Sequence, residues 1–314
     1  MNKSAIARII IWSVVAVLIG GFLVSALAFD AFGTIFDHFN IGFSSLRYDE
    51  EKYSKGNFTA EDEIETYKIY WIAGEIDISF YDGSVIRAEE SSEHQIDDDN
   101  TMRYLIEDGV LTIRARKPGF SFRFGRKEQK RLTLQIPQAL TGRVSLILVD
   151  SVSARVSLSD LSAEKFRLDN VSGNVMLRNA AFESMDLDTV SGNINCSDVT
   201  AALLKIDTVS GRCNFTGSVK KINFDSVSGG IYVDSSQFPE EIRTDTVSGG
   251  ATFKIPAEGG FTAHLDSVSG DLNCNASVIS NGKSRKYGDG SAKYDFDSVS
   301  GDVSIHIKEK AKTA

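Results

Sequence analysis

Proline is scarce in this chain, with four among 314 residues, and so are cysteine (three), histidine (four) and tryptophan (two). Three cysteines cannot all pair, which excludes a disulfide-stapled scaffold. His38, His94, His264 and His306 stand far apart, without the spacing of metal ligands. No metal site is expected. A Gly-x-Ser-x-Gly elbow and a Gly-rich phosphate loop are both missing, so neither a serine hydrolase nor a nucleotide binder has a motif to rest on. Opposed carboxylates in an irregular cleft, which sugar-cleaving enzymes need, are not suggested either. Cationic excess is lacking as well: 34 Lys and Arg against 43 Asp and Glu leave a net charge of −9. That balance speaks against general nucleic-acid binding. The chain reads as non-enzymatic, with no catalytic or cofactor-binding residues to name.

Glycine is plentiful, 26 residues, and a repeat makes use of it. An Asp, then Ser, Thr or Asn, then Val-Ser, then Gly or Ala begins at Asp150, Asp169, Asp188, Asp207, Asp225, Asp245, Asp266 and Asp297. The spacings are 19, 19, 19, 18, 20, 21 and 31 residues. Such a period is too short for helical repeats and suits coils of stacked short strands. With Asp as position 0, positions −3 and −1 are mostly apolar, as in Phe166 and Leu168 or Ile222 and Phe224. Positions 6 and 8 are apolar too, as in Val175 and Leu177 or Val303 and Ile305. Positions 5 and 7 are mostly polar, for example Asn174, Asn193, Asn195, Arg212 and Asn214.

Alternation with period two means strands with one buried face. It slips between position −1 and the Val at position 2, so a bend is expected at the Asp-Ser/Thr step. There the side chains would bond nearby backbone N–H groups. In this reading the eight aspartates build a corner and the Val forms a core column. Cys196, Cys213 and Cys274, all at inward positions, are core thiols. A calcium ladder on the Asp column would need Gly-rich nonapeptides that the repeat does not have. The expected fold is all-β: a β-solenoid of eight coils, about 19 residues each, whose flat polar faces supply contact area.

The N-terminus predicts a location. Lys3 and Arg8 precede 21 uncharged residues, Ile9 to Phe29, enough to cross a bilayer. Positive charge before the run and Asp30 and Asp37 after it put the N-terminus inside and the rest outside the cytoplasm. The alternative is a signal peptide cleaved near Ala28, giving a secreted protein. The expected organisation is a cytoplasmic start (1–8), a single-pass membrane anchor (9–29) and a juxtamembrane linker (30–63). A strand-rich part (64–142), the solenoid (143–307) and a charged tail (308–314) follow. The tail is expected to keep other chains off the open end of the last strand.

One segment stands against the acidic background. Arg114, Arg116, Lys117, Arg123, Arg126, Lys127, Lys130 and Arg131 lie close together, interleaved with Phe120, Phe122 and Phe124. Two readings stay open: a strand with a basic rim, or a contact for an anionic cell-wall polymer, lipid headgroups or another envelope protein.

The order of motifs resembles a known family. An apolar N-terminal segment precedes Ala-Gly-Glu-Ile-Asp-Ile at 73–78, Gly-Val-Leu-Thr-Ile at 109–113 and Leu-Thr-Leu-Gln-Ile-Pro at 132–137, and many Asp-Thr-Val-Ser-Gly copies follow. This is similar to the bacterial "putative adhesin" family, a β-strand-repeat domain of unknown function on Gram-positive cell envelopes. The resemblance spans Ile64 to Ile307. It implies adhesion or envelope binding, or else an accessory role in an envelope-stress response, and it brings no catalytic residues with it. A polysaccharide-active enzyme is the remaining reading.

Overall fold

The computed structural model describes residues 48–118 and 130–309. Two compact units divide between Gly192 and Asn193. Among the described residues there are strands, turns and two single-turn 3₁₀ helices, and no α-helix.

The first unit holds nine strands: β1 (Ser54–Lys55), β2 (Phe58–Ala60), β3 (Thr66–Tyr81), β4 (Ile86–Ser92), β5 (Arg103–Glu107), β6 (Val110–Arg114), β7 (Lys130–Pro137), β8 (Leu146–Asn170) and β9 (Val175–Thr189). Its long strands run parallel. β8 pairs with β9 so that Asp169 lies beside Asp188, and β3 pairs with β8 so that Tyr70 lies beside Asp150. On its other edge β3 carries β6 and β7, also parallel. Antiparallel β5 and β4 then continue outward from β6 and β7.

The second unit holds β10 (Ile194–Thr208), β11 (Cys213–Ser226), β12 (Ile231–Ser235), β13 (Glu241–Thr246), β14 (Ala251–Ile255), β15 (Phe261–Ser267), β16 (Leu272–Cys274), β17 (Ile279–Asn281), β18 (Ser284–Tyr287), β19 (Ala292–Ser298) and β20 (Val303–Ile307). Its stacking order departs from sequence order. β19 lies between β13 and β15, matching Asp297 to Asp245 on one side and to Asp266 on the other. β20 likewise lies between β14 and β16. The last copy of the repeat is thus inserted beneath the one before it. The 31-residue spacing holds the excursion this requires, a hairpin of β17 and β18 whose second strand covers the free edge of β15 in antiparallel register. The final strand is therefore interior and is not the open end that was expected; residues 310–314 of the tail lie outside the described residues.

Burial follows the columns. Positions −3, −1, 6 and 8 fill the interior: Phe166, Leu168, Val175 and Leu177 in the first unit, and Ile222, Phe224, Ile231 and Val233 in the second, are all at most 3% exposed. Each such side chain contributes about 1.5–3 kcal/mol on burial. Aromatic rings stack in the interior, Phe261 on Tyr294 of the neighbouring strand at 4.9 Å and Phe253 of β14 on Phe296 of β19, two strands that do not pair, at 5.8 Å. Cys196 and Cys213 are buried thiols, and burial pushes the Cys196 thiol up to about 12. Cys274 is only half-buried, because among the described strands β16 pairs with β20 alone and so lies at the end of the stack.

Two expectations are corrected here. The Val of the repeat is not a core column: Val171, Val190 and Val227 are half-exposed and Val268 is 62% exposed. The inward alternation instead runs on through position 1, where Asn170, Thr189, Thr208, Ser226, Thr246 and Ser298 are buried. The bend comes one step later, at Val-Ser. The second correction concerns location. Among the described residues no helix is long and apolar enough to cross a membrane, so a single-pass anchor is not supported. The stretch 9–29 on which that expectation rested lies outside the described residues.

Candidate functional site

The corner is built by the residue after the Asp. Its buried side-chain oxygen accepts a hydrogen bond from the N–H of the Gly three residues on: Thr189 from Gly192 (3.0 Å), Thr208 from Gly211 (2.9 Å), Ser226 from Gly229 (2.7 Å) and Ser298 from Gly301 (2.6 Å). Asn170 does the same for Gly173 at 3.3 Å. That bond satisfies a turn N–H which would otherwise be buried without a partner. The Gly is needed for space. A Cβ on Gly192 would fall on the carbonyl oxygen of Gly173, and one on Gly249 on that of Gly229. The intervening Ser hydroxyl donates to the stacked strand's Val carbonyl, as Ser172 does to Val152 and Ser300 to Val247.

The aspartates point outward in line. On β10, β11, β13, β19 and β15, Asp207, Asp225, Asp245, Asp297 and Asp266 occupy matched positions, about 4.8 Å apart. Basic side chains neutralise some of them: Lys205 meets Asp207 at 2.7 Å, Arg243 meets Asp245 at 3.7 Å and Lys283 meets Asp266 at 2.5 Å. Asp225 and Asp297 carry Asn223 and Asp295 where Asp207 and Asp245 carry their bases. Burial against the stack, then the charges of Asp207 and Asp245, push Asp225 up to about 6, although the residue keeps solvent access. Burial, then the charge of Asp245 and a hydrogen bond shared with it, push Asp297 up to about 6. In the first unit, burial followed by the charge of Asp169 pushes Asp150 up to about 7. Arg167 sits 3.2 Å from Asp169. The eight aspartates are thus outward neighbours of the corner, not its builders. Among the described residues no group of acidic, His or Cys side chains could hold a metal ion.

A second outward face of the second unit has a different chemistry. Asn195, Asn214, Tyr232, Thr252, Ser304 and Asn273 are matched strand to strand on β10, β11, β12, β14, β20 and β16. None carries a charge; Asn214 and Asn273 are exposed and the other four are half-buried. Asn214 Nδ2 donates to Asn195 Oδ1 at 3.0 Å. This row follows from position 7 of the repeat, which the sequence marks as polar.

The basic segment divides. Arg114 is buried, with its guanidinium 4.4 Å from the ring of Tyr70 and 4.5 Å from that of Tyr48. Lys130 is buried in an ion pair with Glu90, and its ammonium also donates to the Ala115 carbonyl. Both cations are used inside the fold, where leaving the partner charge alone would be costly, so neither is a surface contact. Lys117 is partly exposed beside Glu50, and Arg131 is bonded to Glu75. Arg116 has its carbonyl bonded by the Tyr48 hydroxyl. Arg123, Arg126 and Lys127, with Phe120, Phe122 and Phe124, lie outside the described residues. Nearby, an open cleft of about 380 Å³ is lined by Glu50, Glu51, Tyr53, Lys55, Asp98 and Arg103. Its charges largely pair with one another: Lys55 with Asp98, and Arg103 with Glu50.

Parallel strands stacked in open order, a buried-hydroxyl corner and long outward rows define a solenoid-like all-β protein. More particularly, residues 57–309 match the Toastrack DUF4097 family, and the chain belongs to it. No curated protein matches. Among solved structures, a "putative adhesin" from Parabacteroides distasonis is 13% identical, with 82% of this chain and 97% of that one covered and a TM-score of 0.46. A "putative lipid binding protein" from the same organism is 14% identical, over 81% and 97%, with a TM-score of 0.46. A "putative cell adhesion protein" from Clostridium sporogenes is 13% identical, over 81% and 100%, with a TM-score of 0.24. None superposes closely enough to carry a function over.

Proposed function

We propose that this chain is a non-enzymatic, adhesin-type binding module that engages an extended surface through the outward rows of its strands. The observation that carries this reading is the strict strand-to-strand register, which repeats one kind of side chain in a straight line. A six-strand row extends about 24 Å at the usual strand spacing, a geometry suited to a long partner and not to a small molecule. Small-molecule sites are concave and mostly apolar, whereas the cleft at Glu50 and Arg103 is open and filled with ion pairs. The test is co-sedimentation of the purified full chain with isolated bacterial cell envelopes. Saturable binding is expected, and a chain that stays wholly in the supernatant at every concentration refutes the reading.

A further inference from the structure

We infer that the uncharged row of the second unit is a binding site for a neutral, hydroxyl-rich polymer, an extended polysaccharide chain. This deepens the binding-module reading above and rests on it. Two glycines set this row apart. Position 5 of the repeat holds Asn193, Arg212, Asp271 and Asp302 in other copies of this unit, but Gly230 and Gly250 in the two copies flanking Tyr232 and Thr252. Neither of these glycines lies in the left-handed region, so no backbone conformation demands them. A Cβ on Gly250 would meet only the Asp302 carbonyl at 3.6 Å, an ordinary contact, and one on Gly230 would meet only Gly250, its oxygen at 3.0 Å. At the corner glycines a side chain would strike backbone. At Gly250 the space is open, and the fold leaves it bare.

The result is a strip of exposed backbone beside the only aromatic side chain of the row, Tyr232. Tyr232, an aromatic ring with a polar tip against which Lys254 packs, stands next to a floor without side chains where a flat sugar ring can lie and bond. On both sides along the row come amides and hydroxyls, Asn195, Asn214, Thr252, Ser304 and Asn273, each able to donate and accept. A chain of sugars offers the matching groups, hydroxyls at short regular intervals along an extended backbone.

The charges beside this row balance. The two rows flanking this one bring Arg212 and Lys254 against Asp234, Asp271 and Asp302, and Lys308 is already paired with Asp234. Lys254 lies 5.3 Å from the centre of the Tyr232 ring and keeps its charge there. A teichoic-acid-like or nucleic-acid chain would find no net positive charge there, since three carboxylates stand against three cations. A neutral polymer needs none.

The experiment is a pull-down of the full chain on insoluble chitin, cellulose and an uncharged α-glucan, with an anionic dextran sulfate resin beside them. Retention on at least one neutral polymer is expected, and it should persist in 0.5 M salt because no ion pair carries it. Tyr232→Ala should lower retention on the order of tenfold, as loss of an aromatic anchor does. Gly250→Glu should lower it as much by filling the strip. Lys221→Gln, on the aspartate-bearing face of the same unit, should leave it unchanged, and all three variants should melt as the parent does. Retention on no neutral polymer overturns the inference, as does equal retention of parent, Tyr232→Ala and Gly250→Glu. If envelopes still sediment the chain in that event, the binding-module reading stands and only this assignment falls. If Gly250→Glu proves unstable, Thr252→Glu probes the same strip from the neighbouring position.

Discussion

Two adjacent columns of the repeat, the Asp and the residue after it, are equally regular in the sequence and opposite in physical role. The Asp stands outside, partly neutralised by bases and partly crowded by its own copies. The next residue stands inside, and its oxygen closes the turn onto a glycine N–H. Regular recurrence therefore marks position in the stack and does not mark importance. A buried hydroxyl that satisfies a buried donor is expensive to remove, whereas a solvated carboxylate in a row of carboxylates is cheap or even favourable to neutralise.

Substitutions in the inner column and at its glycine should cost the most. Gly192→Ala puts a Cβ onto the Gly173 carbonyl and should cost about 3 kcal/mol, read from urea unfolding. Thr208→Val keeps the shape but strips the acceptor from the Gly211 N–H, and should cost about 1–3 kcal/mol. A loss below a few tenths would place the hydroxyl among the spectators.

The aspartates respond to pH with the opposite sign. Asp225 and Asp297 are raised in the folded state to about 6, so between the unfolded carboxylate range and that value the folded chain holds more protons than the unfolded one. Their contribution is most favourable at the acid end of this window and is lost as pH rises through about 6. In the Asp225→Asn/Asp297→Asn variant, unfolding midpoints between pH 5 and 7.5 should show less loss with rising pH than the parent. An unchanged slope would mean that the row does not hold its protons. Smallest of all, Arg167→Ala removes a half-exposed partner of Asp169 and should change stability by less than about 0.5 kcal/mol.

Much of the fold was legible in the sequence because burial in a strand has period two. The apolar columns at −3, −1, 6 and 8 correctly locate Phe166, Leu168, Val175 and Leu177 in the interior. The bend was misplaced because a Val invites burial and a Ser or Thr invites exposure. In the structure Val171 is half-exposed and Thr189 is buried, since the turn's donor needs an oxygen inside. A second corner went unnoticed, where Asp160, Asn179 and Asp198 take positive φ of 54°, 47° and 55°. Recurrent Asp or Asn at position 10 was its signal, as these residues tolerate the left-handed region. Insertion of β19 and β20 beneath β15 and β16 left only the long last spacing as a trace, because strand order depends on contacts that a linear pattern does not encode. For the candidate site, polarity at position 7 was visible in the sequence, but the bare strip at Gly230 and Gly250 needed coordinates. The basic segment misled in the other direction: Arg114 and Lys130 are hidden beside aromatic rings and a carboxylate, which composition alone does not reveal.

One copy of the repeat holds both an inward hydroxyl that builds the corner, Ser226, and an outward carboxylate that does not, Asp225. Urea midpoints of Ser226→Ala and Asp225→Asn, measured at pH 7.5, should separate. The first is expected to fall clearly below the parent, and the second to stay level or rise. A fall for Asp225→Asn with no change for Ser226→Ala would contradict this account of the fold.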